Sequence, residues 1–582
     1  MPLDGLTLHA IVNELDAELK NARIMKIYQP DRYTILLHLR LPGRNVRLVL
    51  SADPVYPRIH TTTADRENPI SPPAFCMLLR KYLEPSRILR IEQHGFDRVA
   101  VIHLEGLEFS AASGELRLIL EIMGRQSNIL LVNHRGIILD ALKRRAPGDG
   151  AADRSLIPGE RYVFPFDQGK ADPREISSSE LVTNLRLAAP TQPVWKILQD
   201  SVQGLSKLAA REIVFRSGLS PTALRVETDA PDWERVDKAL REVVQEVLQG
   251  KTALYLGQGQ EDFAAYWVYH APFQERAESI TAVVESFYTT RVETAELTQL
   301  KNTLRRALDK QLARVMKKQE LQQETLREAE HAHTWRRLGE LITANLHLLK
   351  PDSAAAEVVD YSDPELSTVT VQLDPTLTPI ENAQAMFKKY HKAKKSLDIT
   401  LEQLRKTEAE RDYLLETLTH VDLATDLDVL KEIQVELERE GYLPAPPKAS
   451  RRSHLPASGP DRYRLPDGTE ILVGRNNRQN DLLTFKLAAP GDLWFHAQQV
   501  PGSHVVLKAA GEPTDEALLV AAVLAAQHSQ VKDSAKAAVD YTYRRHVRKP
   551  SGAKPGFVIY DSFQTIIVDP QMKLPNLTKL EQ

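Results

Sequence analysis

The sequence predicts a multidomain α+β chain, and three observations carry that reading: its length, a change in hydrophobic period along it, and the breakers that divide it. At roughly 150 residues per domain, 582 residues make about four units. Apolar residues alternate through the first part, recur at steps of three and four through the middle, and alternate again after Pro460. The expected layout is a β-rich N-terminal domain at 1–178, which 252–290 rejoins, with a helix-hairpin-helix domain at 179–251 between them. A long antiparallel coiled-coil arm follows at 291–425, with a small tip module at about 345–385. A helix and Pro-rich linker at 426–460 lead to a C-terminal α+β domain at 461–570 and a tail at 571–582.

Each element has a local reason. Leu8, Ile11, Val12, Leu15 and Leu19 keep to one helical face. Arg23–Tyr28, Tyr33–Leu39 and Val46–Ser51 alternate between Pro-Asp and Pro-Gly breakers and read as a meander. Strands follow at Arg98–Leu104, Leu116–Met123, Asn128–Val132 and Ile137–Leu139, with a helix at Pro73–Tyr82. Leu181–Ala188, Val194–Gln203, Ser206–Arg216 and Asp232–Leu248 read as helices. The joint Gly204-Leu205-Ser206-Lys207 is the pattern of a helix-hairpin-helix turn, whose backbone N–H groups can meet a phosphate; a plain helical corner fits the same residues. Strands at Leu254–Leu256 and Ala264–Tyr269 are expected to rejoin the first sheet.

Two seams make the arm, Leu297 through Leu300, Leu304, Leu308, Leu312 to Val315, and Met386 through Tyr390, Ala393, Leu397, Leu401 to Leu404. Helices of about 50 residues reach roughly 75 Å. Strand candidates Val358–Tyr361 and Val369–Leu373 lie between them. In the last domain, strands are expected at Glu470–Val473, Leu482–Lys486, Leu493–His496, His504–Lys508, Gly556–Tyr560 and Thr565–Val568. A helix at Asp515–Ser529 is capped by Thr514.

Composition excludes several classes. With 42 % hydrophobic and 26 % charged residues the chain is neither disordered nor collagen-like. One cysteine, Cys76, rules out an internal disulfide and a Cys-rich zinc site. No basic n-region with an apolar h-region opens the chain, and no apolar run approaches the roughly 20 residues of a membrane span. A soluble, cytoplasmic protein is expected. The 75 Lys+Arg against 78 Asp+Glu give a net charge of −3, so a nucleic-acid partner would have to be met by local patches.

Three such patches stand out: Lys388, Lys389, Lys392, Lys394 and Lys395 around Tyr390; Arg544, Arg545 and Arg548 around His546; and Lys143-Arg144-Arg145. Solvated helix faces give the same pattern, and the first two clusters read as helical. Trp494, Phe495 and His496, with His504 beyond the Pro501-Gly502 turn, read as a stacking platform beside a phosphate-binding surface. A Ser503/His dyad lacks a GxSxG elbow, and two histidines eight residues apart without a third ligand are weak evidence for metal. Neither a metal nor another cofactor is expected. Asp97-Arg98 could present a held guanidinium to a phosphate or base edge, although on these residues alone an edge-strand ion pair is the favoured reading. Pro2 could serve as an amine nucleophile, but Leu3 stands where an acidic partner is needed. GxxxxGK[ST] and GxGxxG are both absent.

Several stretches together resemble the NFACT family. They are Leu3-Asp4-Gly5-Leu6, Phe75-Cys76-Met77-Leu78-Leu79-Arg80-Lys81, Phe96-Asp97-Arg98 and Glu121-Ile122-Met123-Gly124-Arg125 in its N-terminal domain, and Glu381-Asn382-Ala383-Gln384 with Phe387-Lys388-Lys389-Tyr390 in its coiled coil. Gly474-Arg475-Asn476-Asn477, Asp492-Leu493-Trp494-Phe495-His496-Ala497 and Pro501-Gly502-Ser503-His504-Val505-Val506 resemble its RNA-binding domain. The resemblance implies a cytosolic ribosome quality-control factor that binds a stalled large (50S) subunit carrying peptidyl-tRNA. It would recruit alanyl-tRNA and direct mRNA-free alanine tailing of the nascent chain, leaving peptide-bond formation to the ribosome. It implies tRNA binding by Asp97, Arg98, Glu121, Ile122 and Met123, and 23S rRNA contact near the stalk base by the five lysines of the arm. Trp494, His496, His504, Arg544, Arg545 and Arg548 are further rRNA candidates, and a small S4-like RNA-binding protein, RqcP, is an implied partner. The Pro-rich linker has no counterpart in the resemblance. A surface fibronectin-binding adhesin and a glycosylase-like nucleic-acid enzyme are the competing readings.

Overall fold

The computed structural model describes residues 3–64, 68–106, 114–146, 154–165, 169–250, 252–257, 259, 262–330, 332–444, 458–508, 511–574 and 577–580. It divides into two compact units, residues 1–294 and 295–582. Pro2 and most of the Pro-rich linker lie outside the described residues.

The first unit opens with α1 (Gly5–Leu19), capped by Asp4, whose carboxylate accepts from the Thr7 backbone N–H. Strands β1 (Arg23–Tyr28), β2 (Thr34–Leu41), β3 (Arg44–Ser51) and β4 (Arg58–Thr62) form one antiparallel meander. After α2 (Ala74–Leu83), strands β5 (Ile88–Gln93), β6 (Val99–Leu104), β7 (Leu116–Glu121), β8 (Asn128–Val132) and β9 (Ile138–Ala141) form a second. Both faces of β6 are covered: Ala100 and Ile102 join α1 and the first meander in the main core, while Val99 and Val101 pack with Leu156 and Tyr162 on the other side. β4 and β5 are absent from the sequence reading because they carry few apolar residues: Ile59 stands alone between Arg58 and His60, and Ile91 between Arg90 and Glu92.

Four helices follow, α3 (Ser178–Leu187), α4 (Val194–Ser201), α5 (Lys207–Arg216) and α6 (Ala230–Gln249), the last ending at left-handed Gly250, φ +63°. Strands β10 (Leu254–Leu256), β11 (Asp262–Ala264) and β12 (Gln274–Arg276) form a sheet of their own, so the expectation that this segment adds strands to the first sheet is corrected. Beyond Ala264 the chain leaves the ladder: the backbone N–H groups of Trp267 and His270 donate to the carboxylates of Glu246 and Glu212. Leu254, Phe263 and Tyr266 nevertheless share the core of the first two sheets.

The second unit begins within the long helix α7 (Ile280–Glu330) and continues through α8 (Ala332–Ala344), a hairpin of β13 (Ala355–Val359) and β14 (Thr368–Gln372), α9 (Pro379–Leu423) and α10 (Leu427–Arg439). Thr378 and Glu381 close a capping box at the start of α9. α7 and α9 run antiparallel: Arg305 pairs with Asp422 at 3.0 Å, and Gln319 meets Glu408 fourteen residues further along α7 and fourteen back along α9. Leu304, Leu308 and Val315 pack with Tyr413, Leu414 and Val421 between them. The hairpin closes a smaller core with Leu341, Ile342 and Ala383.

The last part contains β15 (Asp461–Arg464), β16 (Glu470–Val473), α11 (Asn477–Leu482), β17 (Leu493–Ala497), β18 (Val505–Leu507), α12 (Asp515–Gln527), β19 (Ala537–Tyr543), β20 (Val547–Arg548), β21 (Ile559–Tyr560), β22 (Gln564–Val568) and β23 (Thr578–Leu580). Seven strands form one antiparallel sheet in the order β22-β19-β17-β18-β16-β15-β23, so part of the expected tail is an edge strand. The expected strand at 482–486 is instead helical, α11 widening into a π turn at Leu483–Leu487. Asn476 caps that helix through the Gln479 N–H, and an apolar run this short carries no period that separates helix from strand. The Arg544 cluster is likewise not two helical turns: a single 3₁₀ turn, Arg544–His546, leads into β20.

Candidate nucleic-acid interface

In the first unit the backbone brings three elements to one point. Gly204 has φ +81°, and its carbonyl accepts from the Gly5 N–H at 3.0 Å. A Cβ on Gly5 would stand 2.0 Å from the Phe96 carbonyl oxygen and 2.5 Å from the Gly204 Cα, so the start of α1, the α4–α5 turn and the loop before β6 meet only because both positions are glycine. The buried Asp4 carboxylate locks the junction by accepting from Ser206 Oγ at 2.6 Å. Burial pushes its pKa up against these hydrogen bonds.

Beside the junction opens a cavity of about 870 Å³. Asp97 and Arg98 line it, with Lys170, Lys196, Lys207 and Arg291. The Arg98 N–H donates to its neighbour's Asp97 Oδ1 at 2.7 Å, and Gln93 Nε2 donates to the Asp97 carbonyl at 2.8 Å. The N-terminus of α5, which begins at Lys207, also borders the space and adds its N–H groups to these cations, while Asp200, paired with Lys196 at 2.7 Å, and Asp262 bring negative charge to the same lining.

Glu121 and Ile122 do not line this cavity. Glu121 is buried and accepts from Arg154 Nη2 at 2.6 Å and Tyr162 OH at 2.9 Å. Ile122 is buried and donates its N–H to the Arg98 carbonyl at 2.8 Å; Met123 donates its own to Ser127 Oγ. Ile122 thus ties the end of β7 to the segment that carries Asp97 and Arg98. In the third basic patch, Lys143 donates to the Ala52 carbonyl and Arg144 pairs with Asp140, so both are engaged internally.

In the second unit Lys388, Lys389, Lys392, Lys394 and Lys395 are all exposed on α9. Lys388, Lys392 and Lys395 line one shallow groove with Phe387 and His391, whereas helical spacing puts Lys394 on a different face. Gly339 of α8 lets Phe387 approach closely: a Cβ there would lie 3.0 Å from the ring.

The stacking platform expected at Trp494, Phe495 and His496 is corrected. Trp494 and Phe495 are fully buried, because β17 is central in its sheet and covered on both faces. Phe495 packs under α12; Trp494 packs with Leu483, Val506 and Val547. His504 is buried as well, and His496 is half-buried. Arg544 is spent on the Thr484 carbonyl at 2.8 Å, and Arg548 pairs with Asp561 at 2.7 Å. An exposed ring beside the cluster is Tyr543, with the Arg545 guanidinium 4.2 Å over it, a pair the sequence reading missed because it followed the Trp-Phe-His run.

Beneath Trp494 lies a buried polar layer. Asn477 Nδ2 donates to Thr417 Oγ1 at 2.9 Å, His504 Nδ1 meets Thr484 Oγ1 at 2.7 Å, and the Asn480 carbonyl oxygen accepts from the His504 N–H at 3.0 Å. Glu436, which accepts from Tyr413 OH at 2.8 Å, is pushed up to about 7 by burial. Glu416 is pushed up to about 8 by burial and by the nearby Glu436 and Asp481 charges, and burial lowers His420 to about 3.

Comparison with known proteins finds two family matches along the chain. Residues 4–455 match the NFACT N-terminal and middle domains, and residues 462–561 match the NFACT protein RNA binding domain. The chain is 36 % identical over 98 % of its length, and 98 % of the relative's, to the Rqc2 homolog RqcH of Bacillus subtilis. It is 26 % identical to mouse NEMF, a ribosome quality control complex subunit, over 61 % of this chain and 35 % of that one. Among solved structures, the C-terminal part of a fibronectin/fibrinogen-binding protein from Streptococcus suis is 34 % identical over 48 % of this chain and 96 % of that one, with a TM-score of 0.39.

Proposed function

The chain belongs to the NFACT family, and from that premise we propose that it is a ribosome quality-control factor acting on stalled 50S subunits that still carry peptidyl-tRNA. It recruits tRNA, alanyl-tRNA above all, and directs mRNA-independent alanine tailing of the nascent chain as a signal for degradation. Peptide-bond formation stays with the ribosomal RNA, and the protein positions its RNA partners in the cytoplasm. The observation that carries this reading is similarity to RqcH along 98 % of both chains.

The geometry supports a division of labour. Asp97 and Arg98 touch tRNA at a cavity whose lysines neutralise phosphate, with the α4–α5 turn acting as a helix-hairpin-helix. Glu121, Ile122 and Met123 act through them as positioning residues. Lys388, Lys392 and Lys395 are the foremost rRNA contacts of the arm, with Lys389 and Lys394 on its flanks, and Tyr543 with Arg545 takes over the stacking role first assigned to Trp494. RqcP is the S4-like partner on the same subunit. Affinity purification from cells, with sequencing of the bound RNA, tests the whole: enrichment of 23S rRNA together with tRNA is expected, and recovery of neither overturns the proposal.

A further inference from the structure

Two histidines eight residues apart do not make a metal site; the fold adds the third group. His496 lies on β17, His504 precedes β18, and Phe495 pairs with Val505 across the two strands, so the register sets the histidines side by side. Their rings stand nearly perpendicular, at 84°, with centroids 5.6 Å apart. From α9, 80 residues earlier in sequence, comes Glu416. One ligand atom from each of the three lies within 4.8 Å of the other two.

We propose that Glu416, His496 and His504 bind a single first-row transition-metal dication, zinc being the expected occupant. This inference is independent of the ribosome reading. Two imidazoles and one carboxylate are a zinc donor set that leaves a fourth position for water or a further ligand. With no thiolate in the set, soft monovalent copper is disfavoured, and hard magnesium or calcium would not choose two imidazoles. The ligand atoms must close in by about 1 Å to reach the spacing a tetrahedral ion imposes, a movement rotamer adjustment supplies.

The surroundings are those of a held site. Thr484 Oγ1 sits 2.7 Å from His504 Nδ1; as acceptor it fixes the tautomer whose Nε2 carries the lone pair. The Asn480 side chain holds the His504 backbone. Trp494 stacks parallel to His496, at 9° and 5.6 Å, and meets the His504 ring edge-on, shielding both from solvent. At Gly502 an added Cβ would fall 2.8 Å from the Ser529 Cβ, so the turn carrying His504 is pressed against the end of α12. Such an ion would tie α9 to the central strands of the sheet.

The test uses the full chain without an affinity tag, stripped with a chelator and dialysed against zinc. Elemental analysis should find one zinc per chain, and zinc should raise the melting temperature. Competition with a chromophoric chelator should show Glu416→Gln and His496→Ala, each verified as folded by circular dichroism, weakening binding by about 100-fold or more, and Thr484→Val by about tenfold. His134→Ala, in the first unit, should bind as the parent chain does. A folded parent chain that retains no zinc at micromolar free metal overturns the proposal, as does unchanged affinity in Glu416→Gln and His496→Ala.

Discussion

Two polar sites among the described residues are built from different side chains and have opposite relations to solvent. In the first unit Asp97 and Arg98 stand at the end of a strand and border an open cavity. In the second, Trp494, His496 and His504 stand on or beside the central strands of a sheet covered on both faces. Where a motif falls on its element decides which way it faces. A strand end is free to present its side chains; the middle of a doubly covered strand can only pack them. The first site is accordingly suited to meeting a large partner, and the second to fixing the structure around it.

The sharpest way to break this comparison is to cut each site and read partner binding. Asp97→Ala or Arg98→Ala should abolish tail addition in a reconstituted assay while the protein still co-sediments with large subunits; loss of both together would make the pair structural. The interior site answers to pH instead. Glu436 titrates at about 7 against an ordinary 4.5, so its protonated form is favoured by folding. Its contribution is full below about pH 4.5 and is lost as pH rises to about 7, a loss on the order of 3 kcal/mol. Denaturant melts of the parent and of Glu436→Gln across that range should differ by that loss, with Glu416 and His420 contributing the same background slope to both.

Glycines sharpen the contrast further. Gly5→Ala drives its Cβ into two backbones and should cost about 3 kcal/mol, whereas at Gly468 in the last domain an added Cβ meets nothing within 4 Å and only the φ of +88° opposes it, so Gly468→Ala should cost about 1 kcal/mol. Chemical melts of both variants provide the comparison. Reversing Lys388, Lys392 and Lys395 to Glu should weaken subunit association and flatten its salt dependence more than Lys394→Glu does, measured by sedimentation over a salt series. The smallest effect belongs to Arg548→Ala: its ion pair with Asp561 is exposed, and stability should change by about 0.5 kcal/mol or less.

How much of this was legible beforehand follows the same logic. The α1 face, the long seams of α7 and α9 and the Thr514 cap of α12 announce themselves, because period and capping are local. Asp97 and Arg98 were legible as a motif, and the cavity beside them was not, since its wall is assembled from residues as distant as Lys207 and Arg291. The burial of Trp494 was hidden because it depends on strands β18 and β19 flanking β17 and on layers above and below them. Glu416 carried no signal at all: a glutamate among the many of a long charged helix becomes a neighbour of two histidines only when α9 meets the sheet.

The cysteine of α2 has a practical consequence. Cys76 is the chain's one thiol. It is fully buried against the Ile27 carbonyl, and burial pushes its ionisation up, which keeps it from forming the reactive thiolate. A maleimide dye should therefore pass it by. Glu320→Cys on the arm, or Ala535→Cys on the last domain, both exposed and outside the proposed RNA contacts, would give a singly labelled fluorescent protein with the native sequence otherwise intact, ready for watching its arrival on a ribosome one molecule at a time.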